Sequence, residues 1–309
     1  MRKSTAIAVL AALLQATVPV AAQAPADSAS PRQQEQQPSY DLRILTEKLA
    51  FRVYVNDLLI QAFPTRRIGS MSMPLNPAIL RSGPQKLTIR LLPAAGQDRL
   101  PDTDDLKVEL VVRSKTAPPR HTMLYELPPL RDGRQAQFTD PRGFSQTVQF
   151  EAQVPYRLAG WERSVPLLDA GDPKLEAEVV EAYRRLIDDI GNRKGEAFMG
   201  ALAKAQRLLY PTIYLSAREA RERDAEWVSF IDKGTGTVVP LEHHALEIRG
   251  DGKLVRLRRT DPASVDEGVV RIAYKRGPQP RTIVYDIYLH RPAPGAKLEP
   301  IWYFMTDFN

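Results

Sequence analysis

The sequence predicts an α+β protein in which an antiparallel β-sandwich is followed by three helices packed on a curved antiparallel sheet. Three observations carry this expectation. Apolar side chains recur every second residue from about position 40 to 154, every third or fourth from 172 to about 230, and every second again to the C-terminus. Prolines 64, 74, 77, 84, 93, 101, 118, 119, 128 and 129 fall at the ends of the first alternating runs, where a missing N–H does least harm to a sheet. The 309 residues include no cysteine, so packing alone has to hold the cores, and thiol nucleophiles and thiolate metal sites are excluded.

The chain opens as an export signal. Arg2 and Lys3 precede the apolar run Ala6–Leu14, and Val20-Ala21-Ala22 supplies a small-x-small cleavage site. The alternative site, Ala22-Gln23-Ala24, would leave Pro25 directly after the cut, so cleavage after Ala22 is expected. Gln15 and Thr17 interrupt the run before it reaches the roughly 18 apolar residues of a membrane span. Lacking cysteine, the mature protein is not a lipoprotein. We therefore expect residues 1–22 to be a signal peptide and the mature protein to be periplasmic, with no membrane span.

Residues 23–39, rich in Ala, Pro, Ser and Gln, read as a disordered leader because they cannot bury enough apolar surface to offset ordering. Processing leaves about 285 residues, more than the ~100–200 usual for one domain. Two domains are expected, at 40–158 and 172–309, joined by a linker at 159–171. The net charge of +6 falls to about +4 when Arg2 and Lys3 are removed, a mild excess for a nucleic-acid binder. The densest basic clusters, Arg218-Arg221-Arg223 and Arg256-Arg258-Arg259, read as solvated faces, and no nucleic-acid partner is expected.

In the first half, Phe51, Val53 and Val55 alternate with polar residues, Asn56-Asp57 makes a turn, and Leu58–Ala62 returns as the second arm of a hairpin. Leu87, Ile89 and Leu91 form another strand, and Leu106, Val108, Leu110 and Val112 a further one. The segment from Pro74 through Asn76, Pro77 and Gly83 to Ile89 resembles the jelly-roll modules of exported bacterial proteins, in which an Asn-containing turn leads to a strand on the sandwich face. That resemblance implies a jelly-roll-like sandwich and no particular ligand.

The period then changes. Asp172-Pro173 is a helix start, and Leu175, Val179, Tyr183, Leu186 and Ile190 share one stripe until Gly191-Asn192. A second helix is expected from Gly195 to Leu209, ended by Pro211, with Phe198, Leu202, Ala205 and Leu209 inward. A third starts at Ser216, where Glu219 completes a capping box, and carries Ala220 and Trp227 inward. After Lys233 come strands at Val238–Arg249 and Leu254–Leu257 around a Gly250-Asp251-Gly252 turn, then at Val269–Lys275, Thr282–His290 and Leu298–Phe308, making four or five strands.

This order, a long helix, two shorter ones and a meander ending on Ile301-Trp302-Tyr303-Phe304-Met305, is similar to the nuclear transport factor 2-like (cystatin-like α+β cone) superfamily. The resemblance covers about 172–309 and implies a pocket between helices and sheet. Members use that pocket for isomerisation, dehydration, small-molecule binding or protein docking.

Candidate site residues are few. Neighbouring residues of a strand point to opposite faces, so His243 and His244 cannot share an ion, and with no third ligand beside Glu242 and His244 no metal site is expected. Asp286, Tyr288 and His290 line one face of a strand, an arrangement suited to acid/base work. The other face, with Ile283, Tyr285, Ile287 and Leu289, is more apolar and should meet the helices, which would turn the triplet toward water or a partner. Were the triplet to point inward, burial would raise the pKa of Asp286 and permit a general-base role. Trp302 joins Asp286, Tyr288 and His290 as a candidate binding residue. Trp161 and Tyr156 could pack the interface between the domains.

There is no Gly-x-Ser-x-Gly elbow, Ser70 and Ser72 have no His nearby in the chain, and Gly234-Thr235-Gly236 lacks the Lys and helix of a phosphate loop. With no catalytic residue or cofactor assigned, the expected function is that of an exported, non-enzymatic protein that binds another protein. Its general character resembles the immunity proteins that neutralise antibacterial effectors of type IV or type VI secretion. Two alternatives stand beside this: a cell-envelope or carbohydrate-binding module, and an isomerase or hydrolase using Asp286 and His290 in the cone pocket.

Overall fold

The computed structural model describes residues 37–46, 50–63, 68–93, 97–100, 106–126, 142–167 and 171–308. The expected signal peptide lies outside them, as does the leader apart from residues 37–39.

Among the described residues, eight strands build the N-terminal part: β1 (Ser39–Thr46), β2 (Ala50–Val55), β3 (Leu58–Phe63), β4 (Ile68–Pro74), β5 (Gly83–Leu92), β6 (Lys107–Arg113), β7 (Arg120–Glu126) and β8 (Phe144–Ala152). They form two four-stranded antiparallel sheets, ordered β4-β1-β6-β7 and β3-β2-β5-β8. Leu42, Ile44, Val108 and Leu110 of the first meet Val53, Val55, Leu87 and Ile89 of the second in one core, as the alternation requires. The predicted hairpin is present, with Val55 paired to Leu58 across Asn56 at φ 50° and Asp57 at φ 69°. Two left-handed residues give the turn the twist of its strands. A 3-10 turn at Asn76–Ala78 closes one end of the sandwich, and Asn76 pins it by accepting from the Tyr40 amide at 2.7 Å and donating to Pro38 O at 3.0 Å.

Helices α1 (Pro173–Gly191), α2 (Gly195–Thr212) and α3 (Ala217–Asp232) follow, then β9 (Thr237–Val238), β10 (His244–Arg249), β11 (Leu254–Arg259), β12 (Val270–Arg276), β13 (Gln279–His290) and β14 (Glu299–Phe308). Asp172 caps α1 by accepting from the Lys174 amide at 2.9 Å, and Ser216 and Glu219 close the capping box of α3. Helix α2 runs through Pro211 to Thr212 rather than stopping before it. Pro211 gives up the bond its nitrogen would have made and crowds the preceding turn, and the helix ends one residue later.

The expected strand Val238–Arg249 is split. Pro240 has no N–H for a ladder and His243 is left-handed at φ 46°, so β9 leaves to pair with β12 while β10 pairs with β11. The sheet therefore has six strands instead of four or five. β13, the longest, pairs with β14 on one edge and with β12 and then β11 on the other, and the sheet curls.

Ile283, Tyr285, Ile287 and Leu289 face the helices, as predicted, in a core with Val179, Tyr183, Phe198 and Leu202. The opposite face does not meet water. Tyr288, Trp302, Leu254 and Ile301 belong to the core of the sandwich. Every residue of β2 is buried, because Phe51, Val53 and Val55 point into the sandwich while Arg52 and Tyr54 meet the C-terminal sheet. The layers thus run sheet, sheet, curled sheet, helices, with the β3-β2-β5-β8 sheet covered on both faces where β2 and β3 lie.

Candidate functional site

The junction between the two parts holds a network of charges that includes Arg256 and Arg258, both expected on a solvated face. Arg256, expected in a solvated basic cluster, is 0% exposed at its side chain. Its Nε donates to Glu247 at 2.7 Å, one Nη to Asp286, and the other to Asp266 O at 3.0 Å. Arg249 bridges Glu247 and Asp57, with its guanidinium 4.5 Å from the centre of the Tyr54 ring. From the sandwich, Arg52, 2% exposed, reaches Asp266 at 3.0 Å and Val265 O at 3.1 Å. Asp266 also takes Arg258 at 2.8 Å. The guanidinium groups and carboxylates alternate and pair with one another, as buried charge requires, with Arg249 Nε, among the described residues, the one buried atom of the network that has no hydrogen-bond partner.

Burial would raise Glu247, but Arg256 and Arg249 outweigh it and hold the carboxyl at about 2. Asp286 goes the other way, to about 6: burial pushes it up, Arg256 opposes, and Glu267 and Glu247 add repulsion. The triplet does point inward, with the consequence for Asp286 that burial implies. Its side chains are nevertheless each committed to a different partner: Asp286 to Arg256, Tyr288 to the sandwich, and His290 to Ser164 and Glu299. Tyr288 is buried beneath the sandwich, and its hydroxyl oxygen accepts from the Leu59 amide at 3.0 Å. Trp302, fully buried, donates from Nε1 to Pro77 O at 2.8 Å.

His290, third of the triplet, is separate from Asp286. Its Nδ1 lies 2.7 Å from Ser164 Oγ and its Nε2 3.2 Å from Glu299, which also binds Lys204. Burial lowers its pKa against the pull of Glu299. A neutral ring then donates through Nε2 to the carboxylate and accepts the Ser164 hydroxyl at Nδ1. Serine, imidazole and carboxylate in line are the parts of a nucleophilic triad. However, Ser164 is 6% exposed and its own N–H is taken by Trp161 O at 2.9 Å, which removes the amide that could have served an oxyanion. The chain of bonds clasps the connecting segment to β13, β14 and α2. Ser164 escaped sequence analysis because its partner lies 126 positions away.

A different surface is left open. Leu215, Trp227 and Phe230 from the α3 region and Met305 of β14 line a groove of about 570 Å³ rimmed by Glu219, Glu222, Arg223 and Glu226. Positions 219, 222, 226 and 230 form a single helical stripe, and Leu215 precedes the N-cap of α3. Trp227 sits edge-on to Phe230 at 5.5 Å and to Tyr285 at 5.8 Å, and Met305 is the cross-strand neighbour of Tyr285. All four apolar lining residues are half-buried, and Ile231 is the one fully buried residue of α3. Sequence analysis assigned Trp227 to the core and missed Phe230 and Met305. The signal available was the composition of α3, too poor in apolar residues to seat its whole inner face.

Among the described residues no group of three potential ligands could hold a metal, and no helix is long and apolar enough to cross a membrane. Fold and surface define an α+β protein with a sandwich sheet buried under a curled, helix-backed sheet, and with one aromatic groove on its outermost helix. Comparison with protein-family models, with curated proteins and with solved structures gave no match.

Proposed function

We propose that the chain is an exported, non-enzymatic binding protein that holds another protein, and specifically an immunity protein that neutralises an antibacterial effector in the periplasm. The observation that carries this reading is the groove on α3. Trp, Phe and Met beneath a rim containing Arg have the composition of an interface centre, where aromatic and thioether side chains contribute most when a partner excludes water. The charge network behind it makes the two parts one platform, so a partner would meet a preorganised surface. Asp286 and His290, the acid/base candidates of the enzymatic alternative, are engaged in separate clusters and do not line this groove.

The test is site-specific photocrosslinking from position 222 in cells that make the native protein. The expected result is an adduct with one protein, lost on Trp227→Ala with Phe230→Ser, together with loss of protection against that protein's toxicity. No adduct, or full protection by the groove variant, would overturn the reading.

A further inference from the structure

A second recess lies where the two parts meet the connecting segment, and it shares no residue with the α3 groove. It measures about 230 Å³ and is lined by Trp161 together with Asn56, Gln85, Arg81, Glu162 and Asp251. We propose that this recess binds a single sugar ring.

The platform is built in. Gly160 lets the connecting segment press against the sandwich, since a Cβ there would stand 2.7 Å from Leu80 Cδ1. Gly250, left-handed at φ 60°, lies under the indole, where a Cβ would come 2.8 Å from Trp161 Nε1. Leu158 N donates to Leu80 O at 2.8 Å, and Ser164 N to Trp161 O, so the indole is held before any ligand arrives. Such a ring can take the C–H face of a sugar out of water.

The polar wall suits hydroxyl groups. Asn56 spends both amide hydrogens on Ala78 O and Gln85 Oε1, and Gln85 spends its own on Arg81 O and Gly83 O. Asn56 Oδ1 already accepts from Lys86 N at 3.1 Å and Gln85 Oε1 from Asn56 at 2.8 Å, so each has one oxygen lone pair left for a ligand, in a fixed position. Glu162 and Asp251 add carboxylate acceptors, and Arg81, paired with Glu162 at 3.1 Å, adds a donor. Half-exposed, that pair can open around a hydroxyl at little cost. An acceptor-rich wall with two carboxylates repels anions, and Arg81 in the same recess disfavours cations. At 230 Å³ the recess is smaller than the roughly 300–1,000 Å³ that drug-sized ligands use, which limits it to one ring.

The protein has three tryptophans, so its indole N–H signals report each site separately. Glucose, N-acetylglucosamine and their methyl glycosides would be titrated into the mature chain, with glycerol and ethylamine as controls. The expected result is a saturable millimolar shift of Trp161 alone, weakened about tenfold by Arg81→Ala or Glu162→Gln at unchanged Tm. Absence of a Trp161 shift with every sugar, equal shifts with glycerol, saturation by ethylamine instead, or unaltered affinity in both variants would each overturn the proposal. Because neither variant touches α3, effector protection remains a separate readout.

Discussion

Arg52 and Arg256 show how much a single side chain can mislead when read in one dimension. Each alternates with apolar neighbours in a strand, the pattern of a solvent-facing position, yet Arg52 is buried against Asp266, 214 positions away, and Arg256 against Glu247 and Asp286 of other strands. Removing one partner leaves a buried charge exposed to nothing, so Glu247→Ala should lower stability by about 3–5 kcal/mol in chemical denaturation. The two acids of the network also titrate with opposite sign. Glu247 is held at about 2, below its ordinary 4.5, so its contribution is present above pH 4.5 and fades as pH falls toward 2. Asp286 is lifted from 3.8 to about 6, so the folded state holds its proton more tightly, and stability from this group is lost as pH rises from 3.8 through 6. In thermal melts between pH 4 and 7, Asp286→Asn should flatten the decline expected of the parent protein. A decline of unchanged slope would show that Asp286 ionises as an ordinary carboxyl.

At the scale of elements, caps and close approaches decide where helices and strands begin. Ser216→Ala breaks the capping box of α3 and should cost about 1 kcal/mol. Because α3 is the least buried helix, that loss should appear first as faster amide exchange along 217–232, before any change in global melting. Gly268, just before β12, allows the backbone to pass over β13: a Cβ there would meet Tyr285 O at 2.2 Å. Gly268→Ala must displace one of two central strands, and a drop in Tm well beyond that of the cap variant is expected. The same reasoning explains the split of the expected Val238–Arg249 strand, since Pro240 and the left-handed His243 interrupt the ladder whatever the hydrophobicity of the run.

The whole molecule depends on the face of the curled sheet that turns away from its helices. Tyr288 and Trp302 are shared with the sandwich core through packing and through bonds to Leu59 N and Pro77 O. A fragment of residues 172–309 would bare these aromatics and open the Arg256 network to water without Arg52 and Asp57, and should be insoluble or bind hydrophobic dyes strongly. Co-expression with residues 23–171 should restore solubility. The intact chain should lose Trp302 fluorescence and sandwich ellipticity in one transition, and two separated transitions would show that the shared core contributes little to cooperativity.

What the sequence determined by itself is everything governed by neighbours within a few residues. The α+β class, the turn at Asn56-Asp57, the caps at Asp172 and Ser216, and the helix-facing stripe Ile283, Tyr285, Ile287 and Leu289 all follow from period and local chemistry. The tertiary structure alone decided that the face carrying Asp286, Tyr288 and His290 would be buried, that Arg256 would lie among acids, and that Phe230 and Met305 would meet at a groove. The physical reason is that alternation tells which residues share a face but not what covers it. A charge or an aromatic ring reads the same in the chain whether its partner, more than a hundred positions away, is protein or water.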